Sequence, residues 1–551
     1  MSDQQPGSPR VPAILGDPIR NRGVAFSAEQ RDMLGLTGRL PPAVLTLDEQ
    51  SRWAYHQLES QPVGITRQLF LELLHDRNET LYFKVLSDHL AELLPVLDGR
   101  AAGETASAYP YEYGHPRGIY LSIDRPGDVE KSFATLGLGA DDVDVIVCSD
   151  AGQVPGIGDG GGGGLRAAAG KAAIYTAAAG IRPGRVISVS LDAGTDNEAL
   201  RSDPFYLGNR QARRRGPDYD TFIDRYVQTV SAQFPGALLH FGGFSPENAR
   251  KIVRAYGPGY RVFSDVVQGT GTAVLAAVYA AIRVTGIPMK HQELVVCGAG
   301  ADGIAIADHL RAAMTGDGAT DEQACSQIWV AGRHGLLFDD TEDLRDFQRD
   351  YAKQRSATPW AAVPGPVGLA EAIEGIAPTI LLATSAAGGA FTRQIVQAMC
   401  QATSRPLILP ISTATGATPD DIIAWSDGKA LVATGIPAGP VEYDGTTFTI
   451  GQASTALAYP GLGLGVIVSQ AARVTPRMLQ AAAAAVAEQA GASQPGAPLL
   501  PGLQGLRATS ALVAEAVARA AVADQVAGDN PTDLTQAVHD AMWEPAYPDA
   551  W

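Results

Sequence analysis

The segment Glu293–Leu310 places the strongest constraint on how this chain can fold. A short apolar run, Leu294–Cys297, leads directly into three glycines spaced as G-x-G-x-x-G and then into a segment rich in Ala and Ile. This is the order of strand, tight turn and helix that a dinucleotide site requires. Gly298 permits the turn, Gly300 lets backbone N–H groups approach a pyrophosphate, and Gly303 lets the helix lie close to the strand. The motif therefore predicts nucleotide binding, although a glycine turn of this kind also occurs in ordinary α/β units.

The composition indicates a folded protein with an acidic surface. The 551 residues are 46% hydrophobic and carry a formal net charge of −17, and a chain of that length divides into about three or four domains. An acidic surface repels nucleic acid and anionic membranes, so we expect neither as a partner. Arginines cluster only at 210–215, where we expect them to lie on a surface loop.

The cysteines and the N terminus predict where the protein works. Cys148, Cys297, Cys325 and Cys400 are widely spaced, which argues against a disulfide framework or a zinc site and favours reduced thiols. The N terminus lacks the apolar core of a signal peptide, and no apolar run reaches the roughly 18 residues of a membrane span. We therefore expect a cytoplasmic protein.

The hydrophobic periodicity changes along the chain. Residues 1–130 have mainly helical spacing, with a capping-box pattern at Ser27. Residues 131–272 and 273–450 each alternate apolar strand-like runs with helical segments, which predicts two α/β units with mostly parallel sheets. Residues 451–530 are again helical and are grouped with residues 131–272, and residues 531–551 form a tail.

The predicted fold class is α/β, with a helical N-terminal region, a parallel-sheet domain and a doubly wound domain of the Rossmann type. The predicted strands are Gly118–Ile123, Val143–Cys148, Arg185–Ser190, Ala237–Phe241, Tyr260–Phe263, Leu294–Cys297, Gln327–Ala331, Thr379–Ala383, Pro406–Pro410 and Ala430–Thr434.

Ordered segments along nearly the whole chain resemble the malic enzyme family. They are Asn21–Phe26, Arg77–Leu81, Tyr175–Pro183, Gly194–Asn197, Asp203–Gly208, Gln268–Thr270 and Trp543–Pro545. The resemblance implies a parallel-sheet substrate domain and oxidative decarboxylation of malate to pyruvate and CO2, with NAD or NADP and a divalent metal. It also implies a homodimer or homotetramer.

The residues that hold the family's metal are missing at the matching positions. The family uses an adjacent Glu-Asp pair after one strand and the second of two aspartates after another. This chain has Gly242 and Gly243 at the first place, and Val266 follows Asp265 at the second. Glycine and valine side chains offer no oxygen ligand, so we expect no divalent metal.

Other residues of the family's chemistry are also replaced. Asp98 stands where the resemblance implies a tyrosine general acid, and Gln153 where it implies an arginine for the substrate carboxylate. Ser454 and Thr455 replace two amide side chains, and the sequence Ser412–Ala414 lacks a third. The usual metal-dependent reaction is therefore expected to be absent or very weak.

Three candidate catalytic residues remain. Lys171 matches the family's catalytic lysine, and Asp265 matches the acid beside its metal site; a leftover structural ion pair is the alternative. His240 lies two residues before Gly242 on the same face of a strand and is either an acid–base group or a structural histidine.

Two further segments bear on the site. A tyrosine cluster at Tyr109, Tyr111 and Tyr113 could return a phenol to it. The glycine run 160–164 either makes room for a differently shaped substrate or forms a mobile loop.

The cofactor preference is open between NADP and NAD. An acidic residue usually ends the second Rossmann strand and binds the ribose hydroxyls. Here Gly332 takes that place, and Arg333 and His334 follow, a change that suits a 2′-phosphate. By resemblance, Thr270 contacts the cofactor.

Three functions are compatible with these residues. The first is a metal-independent, NAD(P)-dependent oxidoreductase or decarboxylase that acts on a small carboxylic acid other than malate, or in addition to it. The second is a non-redox lyase or decarboxylase of specialised metabolism that reuses the fold. The third is a catalytically inactive paralogue with a binding role.

Overall fold

A computed structural model describes residues 12–97, 117–384, 391–412, 416–491 and 494–548. The chain forms two compact units, the N-terminal unit (Met1–Pro235 with Met542–Trp551) and the C-terminal unit (Gly236–Ala541). The predicted α/β class is confirmed, with a helical start and parallel sheets in both units. The finer division at residues 130, 272, 450 and 530 stays a prediction.

Helices dominate the first part of the N-terminal unit, as the periodicity predicts. Ser27 forms the predicted capping box, because its hydroxyl accepts the N–H of Gln30 while the Gln30 side chain accepts the N–H of Ser27. The tail packs on this unit, where the Trp543 N–H donates to the Gly180 carbonyl over 2.7 Å. The helices of the unit are α1 (Ala28–Met33), α2 (Leu47–Glu59), α3 (Ile65–Arg77), α4 (Glu79–Asp88), α5 (Leu90–Leu97), α6 (Val129–Ala134), α7 (Gly164–Ala179), α8 (Glu198–Ser202) and α9 (Pro217–Gln233).

Three strands of the N-terminal unit lie parallel in the order β1-β3-β2. They are β1 (Gly118–Ser122), β2 (Val145–Ser149) and β3 (Val186–Asp192). All five residues of β2 are buried, as in a parallel strand that is covered on both faces. The helix α7 follows β2 and ends at Gly180, whose φ of +65° reverses the chain toward β3. The topology therefore places the start of α7 at the carboxyl ends of the strands.

The C-terminal unit opens with two short parallel strands, β4 (Leu238–Phe241) and β5 (Val262–Ser264), joined by α10 (Pro246–Tyr256). A π-helical turn, Asp265–Gly269, connects β5 to α11 (Thr270–Thr285). Such single turns often occur at functional sites.

A seven-stranded sheet follows in the order β14-β11-β10-β9-β6-β7-β8. All of its strand pairs are parallel except β7 with β8. The strand order reverses between β6 and β9, and doubly wound sheets bind ligands at such a reversal. Its elements are β6 (Leu294–Cys297), α12 (Ala301–Gly316), α13 (Asp321–Gln327), β7 (Ile328–Gly332), β8 (Gly335–Leu336), α14 (Leu369–Ile376), β9 (Ile380–Ala383), α15 (Arg393–Ala402), β10 (Leu407–Pro410), α16 (Pro419–Trp425), β11 (Leu431–Thr434), a hairpin of β12 (Val441–Tyr443) and β13 (Thr446–Phe448), and β14 (Gly451–Gln452).

Four helices complete the C-terminal unit. The apolar stretch Leu462–Val468 lies in the first of them, where a Cβ on Gly461 or Gly465 would lie within 2.7 Å of a carbonyl oxygen of a neighbouring helix. Glycine at these two places permits the close helix contact. The helices are α17 (Tyr459–Val468), α18 (Pro476–Glu488), α19 (Leu506–Ala523) and α20 (Leu534–Ala541).

One described helical segment, Asp265–Thr285, has the length and apolar composition of a membrane span. Within the fold, 78% of its most apolar window is buried, as in a core helix.

Candidate functional site

The glycine motif forms the predicted strand, turn and helix. The strand β6 ends at Cys297, Gly298 has a φ of +141°, and Gly300 caps α12. A Cβ on Gly303 would overlap the Gly298 carbonyl oxygen, so only glycine lets α12 start this close to the strand. The N terminus of α12 is consequently an anion-binding position at the reversal point of the sheet.

The end of β7 is the second part of this nucleotide site. Gly332 lies against the turn, since a Cβ on it would be 3.2 Å from the Ala299 Cβ. Arg333 and His334 are exposed, and the Arg333 Nε lies 2.9 Å from the His334 Nε2. With no bulky side chain in the glycine turn and a cation at the strand end, these residues fit a dinucleotide. Asp302, the second residue of α12, is an acid that the sequence interpretation passed over, although its place inside the glycine motif makes it visible.

Thr270 begins α11, one turn after Asp265. Its hydroxyl donates to the Asp265 carbonyl over 3.2 Å, and a Cβ on the adjacent Gly271 would lie 2.5 Å from the His309 ring of α12. The cofactor contact suggested for Thr270 stays a prediction.

At the position of the family's metal, this chain has glycine and valine where the family has ligands. The strands β4 and β5 pair with Phe241 opposite Ser264, so Gly242 and Gly243 follow one strand where Asp265 follows the other. Gly243 has a φ of +72°, and neither glycine nor valine supplies a side-chain donor. Among the residues that the structure describes, no group of three or more His, Cys, Asp or Glu side chains could hold a metal ion. The residues present therefore do not fit the metal that the resemblance implies.

A histidine and an aspartate face each other beside this position. The Nε2 of His240 lies 3.3 Å from the Oδ1 of Asp265. His240 is 0% exposed and Asp265 is 5% exposed. The rings of Phe263 and Tyr459 stand edge-on to the imidazole, with centroids 5.1 and 5.3 Å away. His240 is fully enclosed and lies against Asp265, and its catalytic role stays a prediction.

Lys171 lies in the middle of α7 in the N-terminal unit and is 8% exposed. Its neighbour Gly170 packs against the end of α5, where a Cβ would overlap the Leu97 carbonyl, and this contact fixes the helix. Gln153 is exposed on the loop between β2 and α7. The structure thus puts Lys171 and Gln153 in one unit and His240 with Asp265 in the other.

Several predicted positions lie outside the described residues. They are Asp98, Tyr109, Tyr111, Tyr113, Thr413 and Ala414.

A buried arginine tethers both ends of the loop between β2 and α7. Arg213 donates from its Nη2 to the Oδ1 of Asp159 over 2.6 Å and from its Nη1 to the Asp150 carbonyl over 2.9 Å. Tyr219 donates to the Oδ2 of Asp150 over 2.7 Å. Arg213 is 7% exposed, which corrects the expectation that the arginines 210–215 lie only on a surface loop. The sequence of a basic run does not indicate that one of its arginines is buried.

These ion pairs perturb the acids in opposite directions. Burial raises the pKa of Asp150, although Arg213 opposes the shift. Burial also acts to raise the pKa of Asp159, but hydrogen bonds and charge attraction from Arg213 outweigh it and leave that pKa lowered. The net effect keeps Asp159 ionised and bound to the arginine.

The glycine run after Asp159 is packed. A Cβ on Gly161 would overlap the Tyr206 hydroxyl, one on Gly162 would lie 2.9 Å from the Gly208 Cα, and one on Gly164 would lie 2.5 Å from the Ser149 carbonyl oxygen. The Gly162 N–H donates to the Tyr206 hydroxyl over 2.6 Å. Close backbone approach therefore explains these glycines better than a mobile loop does.

A cavity of about 880 Å³ lies beside α7 in the N-terminal unit. Leu165, Ala169 and Thr176 of α7 line it at helical spacing, whereas Lys171 does not. Its lining includes Leu97 and Arg117, which border residues outside the described part of the chain. It is therefore separate from the lysine that the family resemblance points to.

Comparison with known families agrees with this geometry. The family model described as "Malic enzyme, N-terminal domain" matches residues 75–257, and "Malic enzyme, NAD binding domain" matches residues 267–522. The chain belongs to the malic enzyme family. The resemblance seen in the sequence is thereby confirmed.

Relatives in this family align over almost the full length. The chain is 56% identical over 542 residues to "Putative malate oxidoreductase [NAD]" of Mycobacterium tuberculosis, covering 98% of this chain and 99% of that protein. It is 45% identical over 545 residues to "NAD-dependent malic enzyme 3" of Bacillus subtilis, covering 97% and 95%. The fold matches a malic enzyme from Pyrococcus horikoshii with a TM-score of 0.55 at 20% identity, covering 76% of this chain and 86% of that one.

The Arg213 tether predicts how the loop responds to mutation. In Arg213→Met the buried carboxylate of Asp150 and the partly buried carboxylate of Asp159 lose their cation, and removing one partner of a buried pair costs about 3–5 kcal/mol. We expect hydrogen–deuterium exchange of residues 151–163 to accelerate strongly. Arg215→Ala is the matched control, because Arg215 is 66% exposed and pairs with Asp196, and exposed pairs contribute less than about 1 kcal/mol. Equal exchange in both variants would contradict the tether.

Proposed function

We propose that the protein is an NAD-dependent oxidoreductase of the malic enzyme family that acts on malate or a related small carboxylic acid without a divalent metal. The observation that carries the proposal is the combination of a retained lysine, Lys171, with glycine and valine at Gly242, Gly243 and Val266. The names of the relatives at 56% and 45% identity support both the NAD preference and a malate-type substrate. As in other members of the family, a homodimer or homotetramer is the proposed assembly.

The C-terminal unit would hold the cofactor. The turn at Gly298 and Gly300 and the N terminus of α12 would receive the pyrophosphate, and the end of β7 at Arg333 would face the adenosine ribose. When bound, NAD supplies a hydride acceptor, so that malate is converted to pyruvate and CO2 with one equivalent of NADH. The protein's part is to hold the substrate hydroxyl and to move its proton.

Lys171 is the proposed acid–base group. Lysine amines shielded from water serve as general bases in enzymes, and Lys171 is 8% exposed. In the oxidation it would remove the hydroxyl proton, and in the loss of CO2 it would return a proton to the carbon of the enolate. These are two proton transfers by one side chain, with no metal between them.

Asp265 and His240 are proposed as a positioning pair. A carboxylate that is 5% exposed needs a partner, and the imidazole 3.3 Å away supplies one. The pair would supply polar groups at a position where the family relies on a cation. Because it cannot act as a Lewis acid, enolate stabilisation worth several kcal/mol is missing. Decarboxylation is therefore expected to be slower than hydride transfer.

The absence of metal ligands predicts that chelation has no effect. Turnover of malate and of a panel of small 2-hydroxy acids, followed both as NADH and as released CO2, should be the same in EDTA as in added Mg²⁺ or Mn²⁺. The related B. subtilis enzyme, assayed in parallel, is a family reference. Loss of activity in EDTA and its recovery with Mg²⁺ would refute the metal-independent reaction.

Lys171→Met tests the acid–base assignment. Loss of a general acid–base group typically lowers kcat by about 100-fold or more, while binding of NAD to the other unit should stay within twofold in calorimetry. Lys131→Met is the control, because Lys131 is exposed on α6. A kcat of Lys171→Met within threefold of that of the unaltered protein would show that Lys171 takes no part in the mechanism. If the unaltered protein turns over none of the 2-hydroxy acids, the proposed function is refuted.

Arg333 tests the cofactor preference. The end of β7 carries a cation and no acid, so the affinity for NADP should lie within about tenfold of the affinity for NAD. Arg333→Ala should weaken NADP binding by about tenfold and leave NAD binding within twofold, because only NADP carries the 2′-phosphate. Arg393→Ala is the matched control, because Arg393 is exposed at the start of α15. An equal effect of Arg333→Ala on both nucleotides would contradict this assignment.

A further inference from the structure

An acidic residue lies inside the glycine motif, where the fold provides donors for an anion. Asp302 is the second residue of α12, between Gly300 and Gly303. The helix is 16 residues long, so its first turn carries the full partial positive charge of a helix N terminus. In a dinucleotide turn the backbone N–H groups at this helix N terminus point at the phosphates of the ligand.

The carboxyl group of Asp302 folds back on these donors. Its Oδ1 lies 2.8 Å from the place that a Cβ on Gly300 would occupy, so it faces the turn rather than solvent. Burial raises the pKa of Asp302, and hydrogen bonds from the backbone N–H groups of Gly303 and of Asp302 itself act in the opposite direction. The negative charge of Glu247 nearby raises the pKa further. The carboxylate thus lies beside Gly300, in the space that the turn would offer to a pyrophosphate.

A pyrophosphate and a carboxylate compete for the same donors. Each phosphate of NAD carries a negative charge, and like charges in a partly buried position repel more strongly than they do in water. To bind, the nucleotide must either displace the Asp302 carboxylate from its place beside Gly300 or bind next to it. Both routes weaken binding relative to a neutral side chain at this position.

We propose that Asp302 is an affinity-limiting residue of the nucleotide site, which competes with the pyrophosphate of NAD for the N terminus of α12. This inference rests on the proposed NAD-dependent function. It assigns a limit on nucleotide affinity to one side chain, independently of the residues that carry out proton transfer.

The alternative role of Asp302 is to stabilise the helix. An acid in the first turn of a helix contributes to helix stability by its interaction with the dipole. That role predicts a lower melting temperature on substitution and no gain in nucleotide affinity. The two roles are therefore separated by measuring binding and stability on the same variants.

Asp302→Asn in the full chain is the test. Asparagine keeps the shape of the side chain but removes its charge. Isothermal titration calorimetry with NAD should give a Kd at least tenfold lower than for the unaltered protein, and Asp302→Ala should bind at least as tightly as Asp302→Asn. Glu374→Gln is the matched control, because Glu374 is an exposed acid on α14 of the same unit. This substitution removes one negative charge away from the turn, and the Kd of the variant for NAD should stay within twofold of that of the unaltered protein.

The outcomes separate this inference from the proposed function. Measurable NAD binding by the unaltered protein with a Kd for Asp302→Asn that is unchanged or higher overturns the role of Asp302 and leaves the function standing. If Asp302→Asn binds NAD and the unaltered protein does not, the result supports both the role of Asp302 and the proposed function. Binding by none of the variants, with melting curves that show them folded, overturns the NAD site and this inference with it.

Discussion

The close approach of α12 to the end of β6 is the contact on which the C-terminal unit depends. A side chain at Gly303 would overlap the Gly298 carbonyl, so the helix can start where it does only with glycine there. This placement fixes the direction of the helix and points its first N–H groups at the reversal point of the sheet. An acid in that first turn, Asp302, then has a strong electrostatic effect, because the backbone has already gathered the donors that an anion needs.

At the position of the family's metal, the charge that must be balanced is the buried carboxylate of Asp265. In the family a cation balances the buried acids, and in this chain an imidazole faces Asp265. A buried carboxylate without a counter-charge or donor is costly, and His240 lies 3.3 Å from it, enclosed by Phe263 and Tyr459. This pairing explains how Asp265 can stay buried although glycine and valine occupy the neighbouring positions where the family has metal ligands. It also explains why a histidine at a strand end is fully buried here.

The amount that the sequence revealed differs between the two units and their sites. Each predicted strand is present, with ends that differ by at most two residues, because buried parallel strands read as continuous apolar runs between glycine turns. The Gly298–Gly303 turn was equally visible, since its spacing is local. The Arg213 tether was not, because Asp150, Asp159 and Arg213 are far apart in sequence and their residue types are those of an exposed loop.

The retained and lost residues also bear on the substrate. A dicarboxylate such as malate brings two negative charges to its site, and the family balances them with a metal and an arginine. This chain has glycine and valine at the ligand positions and an exposed Gln153 at the arginine position, and it retains the lysine at Lys171. One cation balances one carboxylate, and each uncompensated charge in a site shielded from water is costly. Malate and other small carboxylic acids differ in the number of carboxylates that need such a counter-charge, so the relative kcat/KM values in the substrate panel measure how well Lys171 supports a second carboxylate.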